Sequence, residues 1–239
     1  FSRRGLYNGS AQRLEEIDRT SAQTDFNGVK VLAANNKLSI QVGANALNEM
    51  AGQFGMNNPD LTIPLPVAKS NYVIPPSQAL TAYTAIGQQN DTVTPLQEAM
   101  FAAAVANGGT LMKPDLVQQV TASDLSTVQG MSPSVLSHSI SSSVSDSMKQ
   151  MMLAVVQQPE GTAYAFRQDV TGVEIAGKTG TAETGAVSLN DAAFTCFAPF
   201  ANPNIAVGVI IQGGGYGASA AAPIAVQVIK AYQRAVGNQ

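Results

Sequence analysis

The sequence predicts an α+β domain in which a small antiparallel β-sheet packs on helices. Three features carry that expectation: a well-capped, alanine-rich helix opening at Thr94; three strand-like runs (172–182, 193–198 and 205–212) separated by short gaps; and a helical run from Ala220 to Ala235. Gaps this short imply antiparallel neighbours, because parallel strands need a long crossover between them. Helices come first and the sheet follows, closed by the terminal helix.

Taken in order, residues 1–37 are polar and weakly periodic, with charge concentrated at Arg3, Arg4, Arg13, Glu15, Glu16, Asp18 and Arg19. This stretch reads as a separate lobe or an appended segment. From Leu38 the pattern changes. Leu38, Val42, Ala46, Leu47, Met50, Ala51 and Phe54 recur at helical spacing up to Gly55, as one amphipathic helix or two short ones meeting near Gly43. Residues 57–79 carry Pro59, Pro64, Pro66, Pro75 and Pro76 without a period, an extended surface path suited to the rim of a groove. Thr94 is placed to cap the next helix, Pro95 takes its first position and Gln97 completes a capping box. Leu96, Ala99, Met100, Ala103 and Ala104 form its buried stripe, and Asn107-Gly108-Gly109 stops it. So many alanines let a neighbouring element pack close, which makes this the central helix.

Residues 114–142 read as hydrophilic, serine-rich connections. A helix from about Ser143 to Gln157 follows, with Val144, Met148, Met151, Met152 and Val155 on one face, a stripe that reads as core filler. Pro159 ends it and Gly161-Thr162-Ala163 begins another short segment.

The most distinctive stretch is Ala176-Gly177-Lys178-Thr179-Gly180-Thr181-Ala182-Glu183. Val173 and Ile175 alternate with Glu174 and Ala176, the period of a half-buried strand that would carry Lys178. Glycines on both sides of the lysine let another backbone approach closely, as an extended ligand pairing along a sheet edge would. Thr179 and Thr181 share a face. A lysine and two hydroxyls beside a strand edge suit an extended peptide with a carboxylate, and the ammonium could tune a neighbouring nucleophile. A bare Lys-Thr-Gly is also compatible with a surface lysine beside a glycine turn, so its context has to decide.

Composition narrows the chemistry. Charged residues make up 12% of the chain and net charge is −3 with no basic cluster, which argues against nucleic acid as a partner. The single cysteine, Cys196, sits in an apolar run and reads as core. His138, the single histidine, sits in a serine-rich segment and reads as a surface residue rather than a triad member. Cysteine and histidine together are too few for a zinc site, and no metal is expected. The glycine run 213–215 lacks the strand-then-helix context of a phosphate loop. No apolar run approaches the roughly 18 residues of a membrane span.

Several ordered motifs decide the context. Ala85-Ile86-Gly87-Gln88, then Thr94-Pro95-Leu96-Gln97, then Ala106-Asn107-Gly108-Gly109 with Pro114 resemble the penicillin-binding protein transpeptidase domain, of the serine β-lactamase-like superfamily. Gly161-Thr162-Ala163 and 176–183 are similar to that family's third catalytic motif and its approach. Phe197-Ala198-Pro199 and Ala221-Ala222-Pro223-Ile224-Ala225 match as well. The resemblance covers residues 38–239, the C-terminal part of a transpeptidase domain, and is strongest to the monofunctional class B enzymes of actinobacteria. It implies an antiparallel sheet packed on helices with an all-helical subdomain, and a D,D-transpeptidase that cross-links peptidoglycan stem peptides through a serine acyl-enzyme without a cofactor. It also implies acylation by β-lactam antibiotics, cell-wall synthesis or divisome proteins as partners, and action on the extracytoplasmic face of the membrane through an N-terminal anchor outside these residues. By the same resemblance Lys178 helps proton transfer and attracts the substrate carboxylate. Thr179 and Thr181 would hydrogen-bond that carboxylate, Gly180 would complete the substrate-binding wall, and the backbone of Thr181 would supply one of two oxyanion-hole donors.

Two motifs depart from the family. Its nucleophile stands in Ser-x-x-Lys, and no serine here is followed three positions later by lysine. Ser10-Ala11-Gln12-Arg13 substitutes an arginine, which stays protonated and cannot act as a base, so Ser10 is not assigned as the nucleophile. The Ser-x-Asn motif falls by spacing on Lys30 and Leu32, which fit neither position; Ala34-Asn35-Asn36 keeps the asparagine at Asn36 but stands too close. Either residues 1–37 are N-terminal pieces, from a pedestal region, joined where the serine-bearing segment is left out, or the chain is a catalytically inactive penicillin-binding-like scaffold. A serine β-lactamase also shares Lys-Thr-Gly, but no Glu or Asp stands in a loop context that matches a deacylating residue.

Overall fold

The computed structural model describes residues 25–26, 29–30, 43–88, 90–167, 169–170, 172–184 and 190–237. The chain divides into two units, residues 1–42 and 43–239. In the first, β1 (Asp25–Phe26) pairs antiparallel with β2 (Val29–Lys30). Everything that follows concerns the second.

Helix α1 (Ala44–Gln53) starts at Gly43, whose extended backbone forms the N-cap. The expected helical pattern therefore has a boundary at Gly43, and its earlier part lies outside the described residues. The proline-rich stretch beyond it runs extended, with isolated bridges between Ile63 and Leu65 and between Asn71 and Thr92. A helix that the sequence did not announce follows: α2 (Gln78–Thr84), capped by Ser77 Oγ, which accepts the Leu80 N–H at 3.3 Å. Seven residues are too few to show a period. Its exit is legible in retrospect, since Gly87 adopts φ +76° while the Gly87 and Gln88 N–H groups donate to the carbonyls of Thr84 and Tyr83 at 2.9 and 3.2 Å. That is a Schellman ending, and it sets the position of Gln88.

Helix α3 (Pro95–Ala106) begins as expected, with Thr94 Oγ1 accepting the Gln97 N–H at 3.1 Å. The capping box is only half formed. Gln97 is fully buried and its Nε2 donates to the Phe54 carbonyl at 2.7 Å, while the Thr94 N–H donates to Ser70 Oγ at 3.1 Å. Burial decides this: a buried amide must find a partner, and the end of α1 offers one. Gln97→Ala is expected to destabilise the fold by about 2–3 kcal/mol, through a cavity and an orphaned carbonyl, and thermal unfolding would read it directly. Ala102 and Val105 are buried besides the expected stripe, so α3 is enclosed round most of its circumference.

The region 114–142, expected as connections, holds two antiparallel ribbons. β3 (Thr110–Met112) pairs with β6 (Val135–His138), and β4 (Gln119–Thr121) pairs with β5 (Thr127–Gly130). β4 and β5 are exposed at every residue, so no alternation marks them in the sequence. Helix α4 (Ser142–Gln157) then buries Ser145, Met152 and Val156, whereas Val144 and Met151 of the expected stripe are each 46% exposed. Ser145 Oγ donates to the Val105 carbonyl at 2.7 Å, which turns the helix by pinning this small polar residue against α3.

The main sheet has the order β7-β8-β9, from β7 (Ala176–Ala182), β8 (Asp191–Ala198) and β9 (Ile205–Ile211), all antiparallel. Residues 173–175, expected to begin the first strand, precede it. Helix α5 (Gly217–Gly237) covers one face, packing Ala221, Ala222, Ala225, Val226 and Ile229 on Phe194 and Cys196. On the other face Ala176 and Phe197 pack with Ala102 and Val105 of α3 and Met152 of α4. The close approach expected of the alanine-rich helix is present: a Cβ on Gly208 of β9 would stand 2.5 Å from both Ala99 N and Pro95 O. The result is an α+β sandwich with the sheet between helices. Among the described residues no helix is long and apolar enough to cross a membrane.

Candidate active site

Among the described residues β7 is the edge strand of its sheet: β8 lies on one side and no strand on the other. Alternation sends Gly177, Thr179 and Thr181, paired with Cys196, Phe194 and Ala192, to the α5 face. Ala176, Lys178 and Gly180, paired with Phe197, Thr195 and Ala193, take the α3/α4 face. The two threonines share a face, and the lysine emerges on the opposite one.

The glycines of the motif serve the interior. A Cβ on Gly177 would stand 2.7 Å from the tip of the Phe194 ring and 2.8 Å from Cys196 Cβ. At Gly180 the close backbone neighbour is the start of α5, since a Cβ on Gly217 would stand 2.4 Å from the Gly180 carbonyl oxygen. These contacts lie on the faces of β7, so packing within the fold requires glycine at both positions as well.

Lys178 is exposed at the surface, and its Nζ donates to the Thr179 carbonyl at 2.6 Å. It also borders a cavity of about 720 Å³ lined by Met50, Phe54, Phe101, Met148 and Met151, among others. These apolar walls displace water from around the ammonium, and that desolvation pulls its pKa below the ordinary lysine value. Met148, Met152 and Val155 of the α4 stripe pack on the core as expected and also border this cavity, whereas Met151 borders it from the exposed side.

On the other face Thr179 Oγ1 lies 2.7 Å from Thr162 Oγ1. Thr162 reaches it because the turn after α4 closes tightly at Gly161, where a Cβ would stand 2.2 Å from the Val155 carbonyl oxygen. Farther along β7, Gln88 Nε2 donates to the Thr181 carbonyl at 3.2 Å and Gln88 Oε1 accepts the Glu183 N–H at 3.3 Å. The carbonyls of Thr179 and Thr181, two residues apart, both accept side-chain donors, which is the alternation of backbone groups that face an open strand edge. The N–H of Thr181 lies on that same side. Gly180, Thr181 and Ala182 also border a second cavity, of about 710 Å³, with Tyr72, Asp91 and Glu98. Burial pushes the Glu98 carboxyl above the ordinary range.

The structure brings Lys178, Thr179, Gly180 and Thr181 together on one open edge, whereas Asn36 and Ser10 lie outside the described residues. Cys196 is completely buried and its thiol is pushed up to about 12, so it is inert. His138 is exposed on β6, its Nδ1 3.3 Å from Thr110 Oγ1. Thr162 and Gln88 carried no assigned role in the sequence. Their contacts span 17 and 93 positions, and no local pattern records such a distance.

Comparison with known proteins identifies the family. The family described as "Penicillin binding protein transpeptidase domain" matches residues 29–230. The peptidoglycan D,D-transpeptidase PbpA of Mycolicibacterium smegmatis is 35% identical over 208 residues, covering 83% of this chain and 41% of that protein. The crystal structure of PBPA from Mycobacterium tuberculosis superposes with a TM-score of 0.72 at 34% identity, covering 79% of this chain and 46% of that one. An imipenem acyl-enzyme complex of penicillin-binding protein A from M. tuberculosis gives 0.71 at 34% identity, with 79% and 42% covered. The chain spans about two fifths of the length of the curated relatives it matches. A likeness of another kind also exists: a flagellin of Salmonella rubislaw is 40% identical over 102 residues, 41% of this chain and 20% of that protein, and one of Salmonella paratyphi A is 76% identical over 34 residues, 14% of this chain. With the family match covering most of the chain and the solved relatives sharing its fold, the protein belongs to the penicillin-binding protein transpeptidase family.

Proposed function

We propose that this chain is the C-terminal part of a peptidoglycan D,D-transpeptidase, residues 38–239 forming part of its transpeptidase domain and residues 1–37 being N-terminal pieces. The observation that carries the reading is the Lys178-Thr179-Gly180-Thr181 run on an unpaired sheet edge, with its lysine desolvated on one side. An extended stem peptide pairs along that edge, and Thr179 and Thr181 hydrogen-bond its terminal carboxylate. A serine hydroxyl attacks the carbonyl of the D-Ala-D-Ala bond, its proton passes to the departing amine, and an acyl-enzyme remains for an acceptor amine to resolve. Lys178 assists that proton transfer and attracts the carboxylate. The N–H of Thr181 donates to the developing oxyanion. The nucleophile comes from chain outside residues 1–239, with Asn36 as the asparagine of the second motif. A β-lactam enters the same path and stops at the acyl-enzyme, as the imipenem complex of the M. tuberculosis relative is named. The enzyme works on the extracytoplasmic face of the membrane, anchored there, with cell-wall synthesis or divisome proteins as partners.

A second reading, a non-catalytic scaffold, is favoured by the lack of any Ser-x-x-Lys in residues 1–239. Fluorescent penicillin separates the two. The transpeptidase reading expects a covalent band on the full-length protein that an unlabelled β-lactam abolishes. No adduct, where a control enzyme labels, discards it. Peptide mass mapping adds an independent check: one unbroken peptide across residues 14–45 rules out a serine-bearing segment between them.

A further inference from the structure

We propose that Gln88 is a positioning residue for the acylation step, a side-chain clamp that stands in for a missing strand at the open edge of β7. The inference rests on the transpeptidase reading and adds a role to a residue that neither the motif nor the relatives assign. An edge strand has unpaired carbonyls and N–H groups along one side, and these let its end fray or twist. On β7 the affected end is the one that carries Thr181. The Gln88 amide meets both outward groups that flank Ala182, giving its N–H to the Thr181 carbonyl and accepting the Glu183 N–H. A primary amide alone among side chains at this length supplies one donor and one acceptor in a fixed plane. It thereby ties the peptide groups after Thr181 to a body outside the sheet.

Local backbone bonds at the end of α2 set the position of Gln88. Gln88 follows the Schellman ending of α2, where Gly87 takes a left-handed backbone at φ +76° and the Gln88 N–H is bonded to the Tyr83 carbonyl. A Cβ on Gly87 would meet nothing within 4 Å, so the glycine serves conformation rather than packing. The chain of constraint runs from the helix end through Gly87 and the Gln88 amide to the Thr181 carbonyl. A residue's N–H and C=O leave a strand on the same side, so holding the Thr181 carbonyl also aims the Thr181 N–H. An oxyanion donor is effective only when fixed in advance, and small misplacements from outside the reacting groups are costly.

The test uses the full-length protein and two isosteric variants. Gln88→Met removes both hydrogen bonds; Gln88→Glu keeps the acceptor for Glu183 and removes the donor to Thr181. Stopped-flow acylation by fluorescent penicillin gives the acylation rate and the prior binding constant separately. Hydrogen exchange reports on the β7 amides without any need for acylation. Gln88→Met is expected to lower the acylation rate roughly tenfold to a hundredfold with binding changed less than threefold, and to speed exchange at Glu183. Gln88→Glu should lower the rate while leaving Glu183 protected. Gly87→Ala, which moves Gln88 without altering it, should reproduce part of the loss. An unchanged acylation rate in Gln88→Met, or an unchanged Glu183 exchange rate, overturns the clamp. If the unsubstituted protein is not acylated at all, the transpeptidase reading fails instead, and the exchange data still decide whether the clamp exists.

Discussion

Lys178→Ala is expected to slow acylation of the full-length protein by fluorescent penicillin by about 10²- to 10³-fold, the scale of a lost proton-transfer group. The rate should fall without a loss of folding, because the ammonium stands beside apolar walls that disfavour its charged form. Lys178→Met sharpens the point by keeping the stem and removing only the charge: its melting temperature at neutral pH should equal or exceed that of the unsubstituted protein. A lower one would mean that the lost rate is structural. The pH dependence follows from the same desolvation. Desolvation of the ammonium by those apolar walls lowers the pKa of Lys178 in the folded state, so between that lowered value and the ordinary lysine value the unfolded chain binds a proton that the folded chain releases. The contribution of this group to stability therefore rises with pH across that window and is lost as pH falls through the folded pKa. Acylation should likewise rise with pH toward the lowered pKa as neutral lysine accumulates. Lys178→Arg, which stays protonated, should abolish that limb while keeping a positive charge for the carboxylate. A limb that survives in Lys178→Arg would assign it to another group.

Gly208→Ala should destabilise the second unit by about 3 kcal/mol, among the larger effects of adding one methyl group to a protein. The added Cβ would stand 2.5 Å from the Ala99 amide nitrogen and the Pro95 carbonyl oxygen, both backbone atoms in the first turn of α3. Backbone in a buried helix cannot step aside as a flexible side chain can, so either β9 or α3 must move. Thermal unfolding should register a fall of roughly 6–12 °C for a domain of this size. Gly52→Ala provides the contrast. Gly52 lies in α1 with nothing within 4 Å of the added carbon, and alanine there should stabilise by about 0.5–1 kcal/mol. Equal effects at the two positions would show that the contact with α3 is looser than the structure has it.

The two halves of the motif illustrate what a sequence can and cannot say. Local features were legible: Thr94 and Pro95 announce the start of α3, 172–182 reads as a strand that the structure forms over its later part, and Cys196 reads as core. Each depends on neighbours within a few positions, where capping and alternation act. Less was legible where the partner is distant. The Gln97 amide was expected to close its own helix turn, and burial sent it to Phe54 instead. Of the α4 stripe expected to face the core, Met148, Met152 and Val155 do, whereas Val144 and Met151 are exposed and the buried Ser145, bonded to Val105, takes their place toward α3. The glycines beside Lys178 were read for a ligand backbone along the edge; that packing also requires them, against the Phe194 ring and the start of α5, depends on residues far along the chain.

By itself the sequence determined the fold class and the order of α3, α4, the three strands of the main sheet and the terminal helix, because propensity, period and motif spacing are properties of nearby residues. Tertiary structure alone decided which elements cover the two faces of the Lys178-Thr179-Gly180-Thr181 run, and that Thr162 and Gln88 reach it from 17 and 93 positions away. Those outcomes depend on which surfaces exclude water together when the chain closes, and no short window of residues records that.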